Sequence, residues 1–275
     1  MTKTLIFFAT YNEAGNVEPL LTSITAAAPQ ADVIVVDDNS QDGTVAAIEA
    51  LGMSNVTILQ RKGKLGLGTA HLLALAYAMH KRYDVVVTMD GDLSHDPVYL
   101  PALLAKVAEG ADLAVGSRYM PGGSCDYTGY RLNISRAANV AARILLGIRM
   151  HEFTTSYRAF RVSSLQRINF ASLLVGGYSF FLSMIVEANE RGFRLSETPI
   201  HFRERGYGTS KIPPLEVFRG MANLLRLAIK KTAGKVRSAR TSELAACPAC
   251  HTDYSLVVPA DGAAATCVFC GHHGA

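Results

Sequence analysis

Short apolar runs and longer amphipathic stretches alternate along the first half of the chain. The runs at 4–9, 33–36, 56–59, 85–89 and 113–115 have strand character, and the stretches at 17–28, 45–51, 69–80 and 98–108 have helical spacing. Val85, Val86 and Val87 form a continuous apolar run, as a strand buried on both faces does. This alternation predicts an α/β fold, a mostly parallel open sheet with helices on both faces. Farther on, the spacing predicts helices over 131–146, 178–191 and 215–231, an extended segment over 193–202 and a loop over 121–125. The helix over 215–231 sets Phe218, Met221, Leu225 and Ile229 on one side and Arg219, Asn223, Arg226 and Lys230 on the other. Residues 232–246 are small, basic and polar, and read as a linker between a main domain (1–231) and a small C-terminal unit (247–275).

Polar clusters follow the predicted strands. Tyr11-Asn12-Glu13 follows the first, Asp37-Asp38-Asn39-Ser40 the second and Lys62-Gly63-Lys64 the third. Asp90-Gly91-Asp92 follows the fourth and Ser117-Arg118 the fifth. Sheets of this type bind ligands beyond the carboxyl ends of their strands. A single such cluster reads as a solvated turn, whereas five aimed at one rim predict a site.

Each cluster has its own chemistry. Two hard carboxylates at the Asp90–Asp92 spacing suit Mg²⁺ or Mn²⁺, with phosphate oxygens completing the shell. The competing reading is a capped turn before a helix starting near Pro97, a role Asp96 could fill alone. Asp37 and Asp38 suit hydrogen bonds to a base or ribose, or else a turn. Gly63-Lys64-Leu65-Gly66-Leu67-Gly68 reads as a phosphate-contacting loop ahead of a helix, without the Gly-Lys-Ser/Thr ending of a P-loop.

Composition sharpens this picture. Of 275 residues, 49% are apolar, enough for a full core, and the net charge is +4. The positive excess is concentrated between Arg219 and Arg240, with seven Lys or Arg and no acid. No apolar stretch approaches the ~20 residues of a spanning helix. The first residues run into a strand pattern without a signal-peptide cleavage region, so a cytoplasmic location is expected. Cys247-Pro248-Ala249-Cys250 and Cys267-Val268-Phe269-Cys270, with sixteen residues between them, have the spacing of a four-cysteine zinc ribbon. Two disulfides or free thiols are the alternative, and a reducing compartment favours metal over disulfides. A ribbon beside a basic linker also raises nucleic-acid binding, but the ribbon has no Lys or Arg and few aromatics, which argues against it. Cys125 has no assigned role.

Thr10-Tyr11-Asn12-Glu13, the stretch from Val35 to Thr44, Lys64-Leu65-Gly66-Leu67-Gly68-Thr69, Asp90-Gly91-Asp92-Leu93 and Gly116-Ser117-Arg118-Tyr119 together resemble the family-two inverting glycosyltransferases of GT-A fold. Thr154-Thr155-Ser156-Tyr157-Arg158 and the stretch from Glu204 to Lys211 resemble the polyprenyl (dolichol) phosphate mannose synthase subgroup. The resemblance spans roughly residues 4–211. It implies transfer of a hexose, mannose from GDP-mannose foremost, to a polyprenyl monophosphate at a membrane surface; another nucleotide sugar or a soluble acceptor is the alternative. By position it implies that Ala9, Tyr11, Glu13, Asp37, Asp38, Lys64 and Asp90 meet the nucleotide sugar. Asp90, Asp92 and Ser94 would hold Mg²⁺ or Mn²⁺. Arg118 would contact the donor diphosphate or sugar and Arg131 the acceptor phosphate, while Arg205, Ser210 and Lys211 would close over both. The chain departs from the family's usual residues at Ala9, Ser94, Glu152, Ser156, Phe181 and Ser183. A lipid acceptor requires membrane contact, for which the helix around 144–146 and the basic helix over 215–231 are candidates; ordinary sheet-covering helices are the alternative.

Overall fold

The computed structural model describes residues 2–177, 179–205, 216–234, 243–252, 254–258 and 264–273. Its strands in chain order are β1 (Thr4–Thr10), β2 (Asp32–Asp37), β3 (Val56–Gln60), β4 (Val85–Asp90), β5 (Leu113–Ser117), β6 (Ser124–Cys125), β7 (Arg158–Arg161), β8 (Leu195–Pro199), β9 (His201–Phe202), β10 (Glu243–Ala245), β11 (Leu256–Val258) and β12 (Thr266–Cys267). The helices are α1 (Ala14–Ala27), α2 (Thr44–Ala50), α3 (Leu67–His80), α4 (Leu100–Ala108), α5 (Gly129–Leu146), α6 (Val162–Leu165), α7 (Ser179–Glu190) and α8 (Glu216–Thr232).

Side-chain alternation along β1 sets the layers. Leu5 and Phe7 enter one core and Ile6 and Phe8 the other, because successive strand residues point to opposite faces. The first core is roofed by α3, α5, α7 and α8, the second by α1, α2 and α4. The central sheet runs β3-β2-β1-β4-β7-β5-β8. β7 lies antiparallel between β4 and β5, and the other pairings are parallel, so six strands end at the same rim.

The reversed strand β7 has no counterpart in the sequence-based reading. Its four residues begin and end on arginine, which hides the apolar signal. Arg158 is nonetheless 1% exposed. Its guanidinium donates to the carbonyls of Thr155 (2.8 Å), Phe181 (2.8 Å) and Phe153 (2.9 Å). Burial lowers its pKa to about 9, which leaves it charged at neutral pH. The expected extended segment over 193–202 is two strands, β8 in the main sheet and β9 paired with β6. β10 falls inside the expected linker and pairs with β11.

The C-terminal unit is not a free appendage. Val257 and Val268 belong to the first core, and Leu244, Tyr254 and Phe269 pack against it. The Tyr254 ring meets Tyr77 and His80 on α3, at centroid separations of 5.6 and 4.9 Å.

Candidate active site

A cavity of about 570 Å³ opens at the rim where the parallel strands end. Ala9, Tyr11, Glu13, Asp38, Lys64, Asp90, Asp92, Ser94, Arg118, Arg131 and Arg205 all line it. Ser210 and Lys211 lie outside the described residues. Asp37 differs from expectation: it is fully buried below the cavity and its carboxylate is committed to a turn. Oδ1 accepts from Thr10 Oγ1 (2.7 Å) and Ser40 Oγ (2.5 Å), and Oδ2 accepts from the Ser40 N–H (2.8 Å). The Asp37–Asp38 pair thus divides, one carboxylate to the turn and one to the cavity wall.

At the end of β4, Asp90 and Asp92 are held by different neighbours. Asp90 Oδ1 accepts from Ser156 Oγ at 2.6 Å. Asp92 Oδ1 accepts from Ser94 Oγ at 2.5 Å and the Ser94 N–H at 3.1 Å, while Oδ2 lies 2.8 Å from Arg205 Nη2. Ser94, implied as a third metal ligand, donates its hydroxyl proton to Asp92, at 1% exposure. The helix-capping role falls to Asp96, whose Oδ1 accepts the Val98 N–H at 3.0 Å. The acidic pair is therefore not needed as a cap.

Local backbone geometry keeps the two carboxylates together. A Cβ on Gly91 would sit 2.8 Å from the Ala9 carbonyl oxygen, so only glycine lets β4 end this close to β1. Leu93 has φ +66°, a conformation that L side chains rarely adopt and that recurs at functional sites.

His95 supports the pair from beneath. Its Nδ1 accepts the Asp90 N–H at 3.0 Å, and Nε2 lies 3.1 Å from Thr155 Oγ1. Nδ1 is also 3.6 Å from Asp90 Oδ2. An Nδ1 that accepts a backbone N–H carries no proton, so the imidazole is neutral and this approach is not an ion pair. Burial lowers the His95 pKa in agreement. The walls of the site, followed by the neighbouring Asp92 charge, raise the Asp90 carboxyl pKa. A divalent cation between the carboxylates would offset that repulsion, so the donor set fits Mg²⁺ or Mn²⁺.

Arg118 is fixed by Glu152, one of the positions at which the chain departs from the pattern it resembles. Nε donates to Glu152 Oε2 (2.7 Å) and Nη2 to Glu152 Oε1 (2.9 Å) and Thr154 Oγ1 (2.8 Å). Beyond the ends of β1 and β3, Lys64 Nζ stands 4.6 Å from the centre of the Tyr11 ring. Asp38 is clasped by Arg61 at 2.6 Å through Nε. On the opposite wall, Arg131 stacks over Tyr127 at 4.2 Å. Sequence reasoning missed Arg61, His95, Glu152 and Ser156 as site-building residues, because Arg61 acts through Asp38, Glu152 through Arg118, and His95 and Ser156 through Asp90, contacts that local patterning does not reveal.

The four C-terminal cysteines converge as their spacing predicts. Their sulfurs all lie within 4.8 Å of one another. Cys247 and Cys270 are 3.8 Å apart and Cys250 and Cys267 3.7 Å, and all four are free thiols. A disulfide needs about 2.05 Å. Two thiolates on a tetrahedral zinc at about 2.3 Å stand about 3.8 Å apart, so the cluster fits zinc.

The pattern described as glycosyl transferase family 2 matches residues 5–168. Polyprenol monophosphomannose synthase of Mycolicibacterium smegmatis is 37% identical over 239 residues, covering 86% of this chain and 90% of that protein. Undecaprenyl-phosphate mannosyltransferase of Micrococcus luteus is 37% identical over 227 residues, covering 82% and 93%. Among solved structures, glucosyl-3-phosphoglycerate synthase from Mycobacterium tuberculosis in complex with uridine diphosphate superposes with a TM-score of 0.61 at 21% identity, covering 82% of this chain and 80% of that one. Its complex with Mn²⁺, uridine diphosphate and glucosyl-3-phosphoglycerate gives a TM-score of 0.59 at 20% identity, covering 85% and 80%.

The layered sheet with its acidic rim is that of a glycosyltransferase of GT-A fold. The chain belongs to glycosyl transferase family 2.

Proposed function

We propose that the protein transfers mannose from GDP-mannose to a polyprenyl monophosphate at a membrane surface, with inversion at the anomeric carbon. The observation that carries this reading is the course of α5. Its first turn brings Arg131 into the cavity, and its outer face leads to exposed apolar residues, Val140 (55%), Ile144 (73%) and Leu145 (44%). From Arg131 to Ile144 is about 20 Å at 1.5 Å per residue. One helix thus joins a cation suited to an acceptor phosphate with a surface suited to its lipid. The two relatives similar over most of this chain, a polyprenol monophosphomannose synthase and an undecaprenyl-phosphate mannosyltransferase, support the same chemistry.

In the reaction, an acceptor phosphate oxygen attacks the anomeric carbon. The bond from that carbon to the diphosphate oxygen breaks, and its electron pair leaves with the nucleoside diphosphate. The nucleophile is already anionic near neutral pH, so no general base is required, and catalysis rests on alignment and charge stabilisation. A cation held by Asp90 and Asp92 would neutralise the leaving diphosphate. Arg118, kept in place by Glu152, would meet the donor. Arg131 would bind the acceptor phosphate, and Arg205, Ser210 and Lys211 would close over the phosphates. Tyr11, Glu13, Asp38 and Lys64 would take the nucleoside end.

Membrane contact would come from α5 and α8, which pack side by side. α8 leaves Met221 (42%), Leu225 (48%) and Ile229 (69%) exposed, while Leu224 and Leu227 are buried. No helix among the described residues is long and apolar enough to cross a membrane. The cytoplasmic face is the side on which the protein would dock. The test is incubation with Mg²⁺ or Mn²⁺ and labelled GDP-mannose or UDP-glucose, with and without polyprenyl phosphate. Mannose label in a lipid-linked product is expected. Label confined to a water-soluble product, or lipid labelling from UDP-glucose alone, would refute the reading.

A further inference from the structure

Arg61 joins two parts of the molecule that the chemistry above treats separately. It follows β3, and its side chain is fully buried. Nε donates to Asp38 Oδ1 at 2.6 Å, and Nη2 lies 2.5 Å from the same oxygen and 3.2 Å from the Gly66 carbonyl. Nη1 donates to Thr69 Oγ1 at 2.6 Å and to the Val268 carbonyl at 3.2 Å. The guanidinium thus makes four hydrogen bonds and one further ion-pair contact to the Asp38 carboxylate. The first acceptors belong to the nucleotide side of the cavity and its glycine-rich loop. The last lies between Cys267 and Cys270.

A second contact runs parallel to this one. A Cβ on Gly271, which has φ +76°, would sit 3.2 Å from Leu65 Cδ2, so the turn closing the second cysteine pair abuts the tip of the 63–68 loop. The C-terminal strands are three residues or fewer and cannot hold this turn without help. The four thiolates, gathered by zinc, would supply the help.

We propose that the four-cysteine knuckle is part of the donor site: zinc held there fixes the Val268 carbonyl and the Gly271 turn, which complete the setting of Arg61, Asp38 and the 63–68 loop and so raise affinity for a nucleoside diphosphate. This rests on the assignment of Asp38 and Lys64 to the nucleoside end of the donor. Arg61 is a positioning residue, acting through Asp38 and the loop. Loss of zinc withdraws an acceptor from a buried guanidinium and loosens the loop, while the Asp90–Asp92 rim keeps its own supports.

The test uses the full chain, as the zinc-loaded form and after chelator dialysis followed by return to Mg²⁺ alone. Zinc content is measured in both, and GDP and UDP are titrated by calorimetry. A loss of diphosphate affinity of roughly 5- to 100-fold on zinc removal is expected, the range of ordinary coupling between two sites. The donor KM should rise with the acceptor KM unchanged. Arg61→Lys keeps a charge beside Asp38 but cannot span to Gly66 and Val268; it should bind zinc normally and bind diphosphate weakly. This variant decides the matter if the zinc-free chain unfolds by circular dichroism. Equal diphosphate affinity in folded zinc-loaded and zinc-free chains, or normal affinity in Arg61→Lys, overturns the proposal. Failure of the zinc-loaded chain to bind either diphosphate overturns the donor assignment itself, and the proposal with it.

Discussion

Arg118 and Glu152 grip each other through two parallel hydrogen bonds, 2.7 and 2.9 Å long, at 7% and 0% exposure. Burial alone would raise the Glu152 pKa, but the Arg118 charge and the hydrogen bonds from Arg118 and Thr154 outweigh it and hold the carboxyl below its ordinary 4.5. Glu152→Ala leaves a buried guanidinium without its counter-charge and should cost about 3–5 kcal/mol in urea unfolding. The depressed folded pKa means that the pair's stabilisation is complete above pH 4.5 and is lost as pH falls through the lower folded value. Unfolding curves that are unchanged in Glu152→Ala would contradict this account.

The rim of β4 gives a second expectation. Asp92→Ala should abolish turnover, since it removes one of the two carboxylates at the end of β4 that would hold the cation. Ser94 and Ser156 each donate to one of those carboxylates. Ser94→Ala and Ser156→Ala should retain the fold and weaken Mn²⁺ binding by roughly 10- to 100-fold, as loss of a ligand's supporting hydrogen bond does. Electron paramagnetic resonance of free Mn²⁺ measures this directly, and wild-type affinity in both variants would remove Asp90 and Asp92 as ligands.

How much of this was readable in the chain depended on whether the signal was local. Five strands, their order of polar ends and the acidic pair follow from short-range patterning, and the structure gathers those ends at one rim. The zinc knuckles were equally local, each being four residues long. What escaped was carried by distance. β7 was hidden because its arginines look solvent-bound, yet Arg158 is satisfied by carbonyls 3, 5 and 23 residues away. Asp37 and Asp38 are identical in type and adjacent, and only Ser40 and Thr10 on one side and Arg61 on the other tell them apart. The docking of the knuckle depends on Arg61 meeting Val268, 207 residues on.

Acid sensitivity should begin well above the carboxylate range. His71 is 2% exposed, edge-on to Phe7 and Phe181 at 4.9 Å each, with no hydrogen-bond partner for Nε2 among the described residues. Burial first, then the Arg158 charge, lowers its pKa from 6.5 to about 3. The native state keeps this imidazole neutral where the unfolded chain takes up a proton. Stability is therefore full above pH 6.5 and declines as pH falls from there toward 3. The slope approaches about 1.4 kcal/mol per pH unit, or about 2 kcal/mol by pH 5. The lowered pKa of buried His95 acts in the same direction. His71→Phe removes one titrating ring and should flatten the slope of unfolding free energy between pH 7 and 5; an unaltered slope would contradict the role given to His71.

Membrane docking can be separated from the chemistry of the cavity. Among the described residues, Ile144 and Ile229 are the most exposed aliphatic residues of α5 and α8, at 73% and 69%. Arg143 and Arg226 beside them are exposed as well, so the surface pairs apolar area with positive charge. Such a surface binds anionic bilayers through both terms, and each is weakened in its own way. Ile144→Glu with Ile229→Glu puts carboxylates where acyl chains would sit, outside the cavity lining proposed to hold the donor. The double variant should fail to float with anionic liposomes and transfer poorly to a long-chain polyprenyl phosphate. Its GDP affinity and melting temperature should match the parent, because neither side chain contributes to either core. Raising salt should weaken flotation of the parent through the arginines while leaving the apolar contribution intact. Flotation of the double variant equal to that of the parent would show that this face does not meet the bilayer.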